Sequence, residues 1–167
     1  MRICIFGSGA VGSHFAVRLA LAGHDVSCVM RGPHLEAVKA KGLTLRVGDA
    51  EFQARVRASD DPATLGPQDL VISTLKANAL GSLVTGLPPL LRHDTAIVFA
   101  QNGIPWWYDL GLPSDHPPPP DLGFLDPGRR LRAVVSRERI IGGVIFSSNE
   151  VVEPGVVEKD RRKGSCA

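Results

Sequence analysis

An apolar run, Arg2-Ile-Cys-Ile-Phe6, passes straight into Gly7-Ser8-Gly9-Ala10-Val11-Gly12, and Val11 to Ala22 then reads as a helix. A GxGxxG turn between a strand and a helix is the arrangement that receives the pyrophosphate of a dinucleotide. Each glycine has its own reason. Gly7 permits a tight turn off the strand, Gly9 lets the backbone approach a diphosphate, and Gly12 lets the helix lie close to the sheet. The helix start adds unpaired N–H groups and about half a positive charge. Gly12, Ala16 and Ala20 recur every four residues and form a flat face suited to a sheet.

The rest of the chain supports an α/β reading. Strands are expected at Asp25 to Met30, Leu70 to Thr74, Ala96 to Ala100 and Ile140 to Phe146. A short helix is expected over Pro33 to Lys41, opened by Pro33 and closed by Gly42. Leu43 to Val47 and Glu51 to Val56 flank Gly48-Asp49-Ala50, a hairpin signal. Ala77 to Leu91 reads as partly helical, broken by Pro88-Pro89. Strands that alternate with helices imply a Rossmann-like, doubly wound, mainly parallel sheet. Residues 104–128 hold Pro105, Pro113, Pro117 to Pro120 and Pro127, a long loop of polyproline character. Trp106, Trp107 and Tyr108 open that loop; they either pin it to the core or stand beside a substrate or second subunit.

Charge and cysteine content narrow the function. Nineteen basic against seventeen acidic side chains leave a net charge of +2, which gives no footprint for nucleic acid or a membrane surface. No apolar run is long enough to cross a bilayer, and Arg2 leads into a strand rather than a signal peptide core. Cys4, Cys28 and Cys166 form no metal-ligand spacing; Cys4 and Cys28 fall in strands and read as buried thiols of a reduced, cytoplasmic protein.

The second strand discriminates between nucleotides. An NAD site carries an acid about 20 residues beyond the glycines, at that strand's carboxyl end. Here the position holds Arg31, followed by Gly32-Pro33-His34, and Asp25 stands at the opposite end. A guanidinium can grip the 2′-phosphate of NADP with forked donors. A charged hydrogen bond of about 1.5–3 kcal/mol gives a roughly ten- to hundredfold preference for NADP. Two further strand ends carry polar groups: Lys76 after Leu70 to Thr74, and Asn102 after Ala96 to Ala100. Ligands of open α/β sheets gather beyond such ends, where a lysine can hold a carboxylate or ketone oxygen and an asparagine can both donate and accept.

These residues make the chain resemble the ketopantoate reductases (2-dehydropantoate 2-reductases). The resemblance rests on Gly7 to Gly12, Arg31 with His34, Leu75-Lys-Ala77, Gln101-Asn-Gly103, Arg139-Ile-Ile-Gly-Gly143 and Glu153-Pro-Gly-Val-Val157, a spaced set over residues 1–157. It implies NADPH-dependent reduction of ketopantoate to pantoate, on the route to pantothenate and coenzyme A. It implies that Gly7, Ser8, Gly9, Ala10, Val11 and Gly12 hold the pyrophosphate and Arg31 the 2′-phosphate. Lys76 and Asn102 would contact the nicotinamide ribose and the keto acid substrate, and Gly142 to Ser148 would wall the nicotinamide pocket.

The family also has a helical C-terminal domain that supplies the general-acid lysine, and it is absent from these 167 residues. Residues 1–157 are therefore expected to form the NADP-binding domain and 158–167 a frayed, charged tail. The chain by itself is expected to bind NADP(H) and turn over poorly, because Lys76 would have to supply the proton. An apolar face left uncovered would favour self-association. Two other readings share these residues: a different NADP-linked keto or hydroxy acid reductase, and a non-catalytic NADP-binding module.

Overall fold

β1 (Arg2–Phe6) is buried along almost its whole length, as an apolar strand between two covering layers must be. The computed structural model describes residues 1–117, 121 and 123–160. After β1 come α1 (Ala10–Leu21), β2 (Asp25–Val29), α2 (Gly32–Lys41), β3 (Leu43–Val47), β4 (Ala50–Ala54) and β5 (Arg57–Ser59). They are followed by β6 (Leu70–Ser73), α3 (Leu83–Gly86), β7 (Ala96–Ala100), α4 (Arg130–Val134), β8 (Ile140–Gly143), β9 (Asn149–Glu153) and β10 (Val156–Lys159). Six strands form one wholly parallel sheet in the order β5-β2-β1-β6-β7-β8. This is the expected Rossmann-like α/β architecture.

A second sheet, β4-β3-β10-β9, was not foreseen. The β3–β4 hairpin occurs as expected, turning at Gly48, but β10 pairs in parallel with β3 from more than a hundred residues away. α1 lies between the two sheets and touches both. Ala16 and Val17 are fully buried there, with Ile3, Ile5, Leu43, Leu45 and Val157 around them. The Arg18 guanidinium sits 4.2 Å over the Phe52 ring and joins α1 to β4. The opposite face of the main sheet is covered by short helical segments, with Leu80, Leu83, Leu87, Leu90 and Leu131 packed on Phe6, Ile97 and Phe99.

Ala77 to Leu91 is helical in part, as expected: one α-helical turn, α3, lies between 3-10 turns at Ala77–Ser82 and Pro88–Leu90, and Gly81, Gly86 and the two prolines cannot sustain a longer helix. Two expectations need correction, and one element was not foreseen. β8 ends at Gly143 instead of running to Phe146. The 104–128 loop gives way to the unforeseen α4, whose start is fixed by the buried Asp126 carboxylate accepting from the Leu131 and Arg132 N–H groups at 2.8 and 3.2 Å. Glu158 and Lys159 belong to β10, not to a frayed tail, because they pair with both β3 and β9. Pro118 to Pro120 of the loop, residues 161–167 of the tail and Cys166 lie outside the described residues. Among the described residues no helix is long and apolar enough to cross a membrane.

Candidate functional site

The turn between β1 and α1 leaves three amides without acceptors. Gly7 and Ser8 donate their N–H groups to the Val29 carbonyl at 3.0 and 3.1 Å, and Gly9 donates to the Gly7 carbonyl at 2.7 Å. The first paired N–H of the helix is that of Ser13, on the Gly9 carbonyl at 2.9 Å. Ala10, Val11 and Gly12 therefore present free N–H groups at the helix start, where no side chain caps the turn and no acid opposes the dipole. Such a group of donors accommodates a diphosphate.

Gly7 and Gly12 stand where a side chain would not fit. Gly7 has φ +93°, a left-handed conformation, and a Cβ there would stand 2.5 Å from Leu75 Cδ2. A Cβ on Gly12 would stand 2.5 Å from Thr74 Oγ1 and 2.9 Å from Ile5 Cγ2. At Gly9 a Cβ would meet only the Gly7 carbonyl, at 4.0 Å, so that side of the turn is open to a ligand. Thr74 was missed at the sequence level. Its hydroxyl donates to the Gly7 carbonyl at 2.8 Å and its N–H to Phe6 at 3.0 Å, which ties the turn to the end of β6.

A cleft of about 650 Å³ opens beside this turn, lined by Gly7, Met30, Arg31, Leu75, Asn78 and Ser82 among others. Arg31 is exposed at the end of β2 and has no hydrogen-bond or ion-pair partner. The same cleft is lined by Asp60, which follows β5. Sequence spacing could not find it, because only the strand order shows that β5 lies beside β2. The neighbouring Asp61 has a different job: its carboxylate caps the turn at Pro62–Leu65 by accepting from the Ala63 N–H at 3.0 Å.

His34 is not available to a ligand's phosphate. It lies on α2, and its Nδ1 accepts the Gly155 N–H at 3.0 Å. Its Nε2 must then carry the proton and donate to Ser13 Oγ, at 3.1 Å, which in turn donates to the Ser8 carbonyl at 3.1 Å. The ring so links the glycine turn to the β9–β10 turn. Burial holds its pKa below the ordinary histidine value, in keeping with a neutral ring.

Lys76 and Asn102 stand at equivalent places on neighbouring strands. Ser73 pairs with Phe99, and Lys76 and Asn102 each follow their strand's paired residue by three positions. Neither lines the cleft beside Arg31. Lys76 is exposed and unpaired. Asn102 donates from Nδ2 to the Ile145 carbonyl at 2.9 Å and accepts the Ile145 N–H on Oδ1 at 2.8 Å. It therefore holds the Gly142 to Ser148 segment against the end of β7. Trp106 is buried and Trp107 packs on Phe99 at 4.8 Å between ring centroids, while Tyr108 remains exposed. The first two aromatics anchor the loop. Cys4 and Cys28 are fully buried, and burial pushes both thiols up to about 12.

The chain is similar to known proteins in sequence and in fold. The sequence profile of the ketopantoate reductase PanE/ApbA family matches residues 3–107. A 2-dehydropantoate 2-reductase from Mesorhizobium japonicum is 41% identical over 160 residues, covering 94% of this chain and 48% of that protein. A crystal structure from Ralstonia solanacearum MolK2, provisionally assigned as a ketopantoate reductase, superposes with a TM-score of 0.84 at 38% identity, covering 96% of this chain and 49% of the other. D-mandelate dehydrogenase bound to NADH and anilino(oxo)acetate shares the fold, with a TM-score of 0.76 at 23% identity over 96% of this chain and 46% of its own. The chain spans about half the length of the curated relatives it matches.

Proposed function

The chain belongs to the ketopantoate reductase PanE/ApbA family, and we propose from that premise that it is the NADPH-binding half of an enzyme that reduces ketopantoate to pantoate in a reduced, cytoplasmic setting. The observation that carries this reading is the set of free amides at Ala10, Val11 and Gly12, on a turn whose Gly7 lines the same cleft as Arg31. The residues fit the cofactor. Gly9 leaves open space where a diphosphate would lie, and Arg31 has an unpaired guanidinium for a 2′-phosphate. When bound, the nicotinamide supplies a hydride.

The chain's own residues bind and orient. The α1 amides and dipole offset the diphosphate charge, and Thr74 and Val29 hold the turn rigid around them. Asn102 fixes the Val144 to Phe146 segment beside the strand ends and keeps one amide hydrogen for the nicotinamide ribose or substrate. Lys76 brings a mobile ammonium to the same edge, suited to a carboxylate or a developing alkoxide. Water reaches this edge, where Ile104, Val144 and Phe146 are all exposed. The 167 residues assayed alone therefore bind cofactor but reduce ketopantoate slowly, since a positioned acid contributes about 10²–10⁴-fold.

Fluorescence titration with NADPH and NADH, repeated on Arg31→Ala, tests the assignment. NADPH binding with a preference that collapses in the variant supports it. Failure of the parent protein to bind either nucleotide overturns it.

A further inference from the structure

The cleft beside the glycine turn holds two charges of opposite sign that do not neutralise each other. Arg31 follows β2 and Asp60 follows β5, the next strand outward from the turn. Both are exposed, both line the cleft, and neither has a hydrogen bond or ion pair to any side chain or backbone group. The fold does not use the Asp60 carboxylate; capping of the following turn falls to Asp61. A nucleotide lying from the α1 amides into this cleft would bring its adenosine end to a lining that holds both charges.

We propose that Asp60 is a specificity-determining residue at the adenosine end, opposing Arg31 so that the cleft takes NADH alongside NADPH. This rests on the reading of the cleft as a dinucleotide site. A carboxylate accepts from an unmodified ribose hydroxyl and repels a 2′-phosphate dianion, the reverse of what a guanidinium does. NAD sites place such an acid at the end of the second strand. Here that position is basic, and the neighbouring strand delivers the acid from outside the expected spacing. The NADPH preference of the parent protein is therefore smaller than Arg31 alone would give.

The test is the ratio of NADPH to NADH affinity in the 167-residue protein and in Asp60→Asn, with Asp60→Lys as the stronger perturbation and thermal melting to show that each variant folds. One unit charge across a wet cleft changes phosphate affinity roughly threefold to tenfold. The ratio is expected to rise by that factor in Asp60→Asn and further in Asp60→Lys, and the Asp60→Asn effect to fade at high salt. Binding of both nucleotides with a ratio unchanged in both variants overturns the role of Asp60 while leaving the site intact. Binding of neither nucleotide to the parent overturns the site itself.

Discussion

Asn102 and Ile145 are joined by two hydrogen bonds, one from each end of the Asn102 amide to the Ile145 main chain, at 2.9 and 2.8 Å. The pair continues the β7–β8 contact by side chain beyond the Gln101 N–H, which donates to the Gly143 carbonyl at 3.1 Å. It gives Asn102 a structural duty at the carboxyl end of β7.

Asn102→Ala should release the Val144 to Phe146 segment with little effect on the rest of the fold. The site is exposed, so the loss of global stability is on the order of 1 kcal/mol. Hydrogen exchange at the Ile145 amide reads the effect: it should accelerate in the variant, whereas exchange at the β1 amides should not.

Gly9 and Gly12 should respond oppositely to alanine. Gly12→Ala puts a Cβ 2.5 Å from Thr74 Oγ1 and is expected to lower stability by about 1–3 kcal/mol. At Gly9 the φ of −78° suits alanine and the space is open, so stability should change by less than about 0.5 kcal/mol. The new methyl would nonetheless stand where the diphosphate approaches, and NADPH affinity should drop at least about tenfold, a loss of about 1.4 kcal/mol. Chemical denaturation and nucleotide titration together separate the two effects.

His14 and His34 should make the fold acid-sensitive. Burial lowers both pKa values; for His14 the Asn149 hydrogen bond opposes that shift and the charges of Lys159 and Arg18 add to it. The unfolded chain then takes up protons more readily than the folded one. Their contribution is complete above the ordinary value of 6.5 and is lost as pH falls below it toward the lowered folded values. Both rings are half-buried and partly screened, so the loss between pH 7.5 and 5.5 is on the order of 1 kcal/mol, or about 2–4 °C in Tm. Thermal melts should show that slope, and His34→Gln should flatten it.

The parts of this site that were readable from sequence are those carried by local chemistry. The β1 turn, the α1 start and the small face of Gly12 and Ala16 each depend on residues a few positions apart. Strand order is different in kind. Asp60 reaches the cleft only because β5, three residues long, pairs beyond β2, and the polar Arg57-Ala-Ser59 gives no apolar signal of a strand. β10 carries Glu158 and Lys159, which look like tail residues until β3 and β9 are seen on either side. The structural duty of His34 was not legible because the Gly155 N–H that occupies its ring lies 121 residues away. Long-range pairing of that kind leaves no period in the sequence.

Cys4 and Cys28 should resist alkylation in the native protein. Both thiols are fully buried and held protonated by burial, and only the thiolate reacts quickly. Mass spectrometry of peptides after brief iodoacetamide treatment should find both unmodified at pH 8 and both modified once the chain is unfolded.

The most direct measurement follows the backbone amide resonances of Ala10, Val11 and Gly12 during titration with NADPH. These three N–H groups lack acceptors, whereas those of Gly7 and Ser8 are held by Val29. The expected result is large, saturable shifts at Ala10, Val11 and Gly12 with slowed hydrogen exchange. Amides that stay unmoved while NADPH is bound elsewhere, or is not bound at all, would contradict the account.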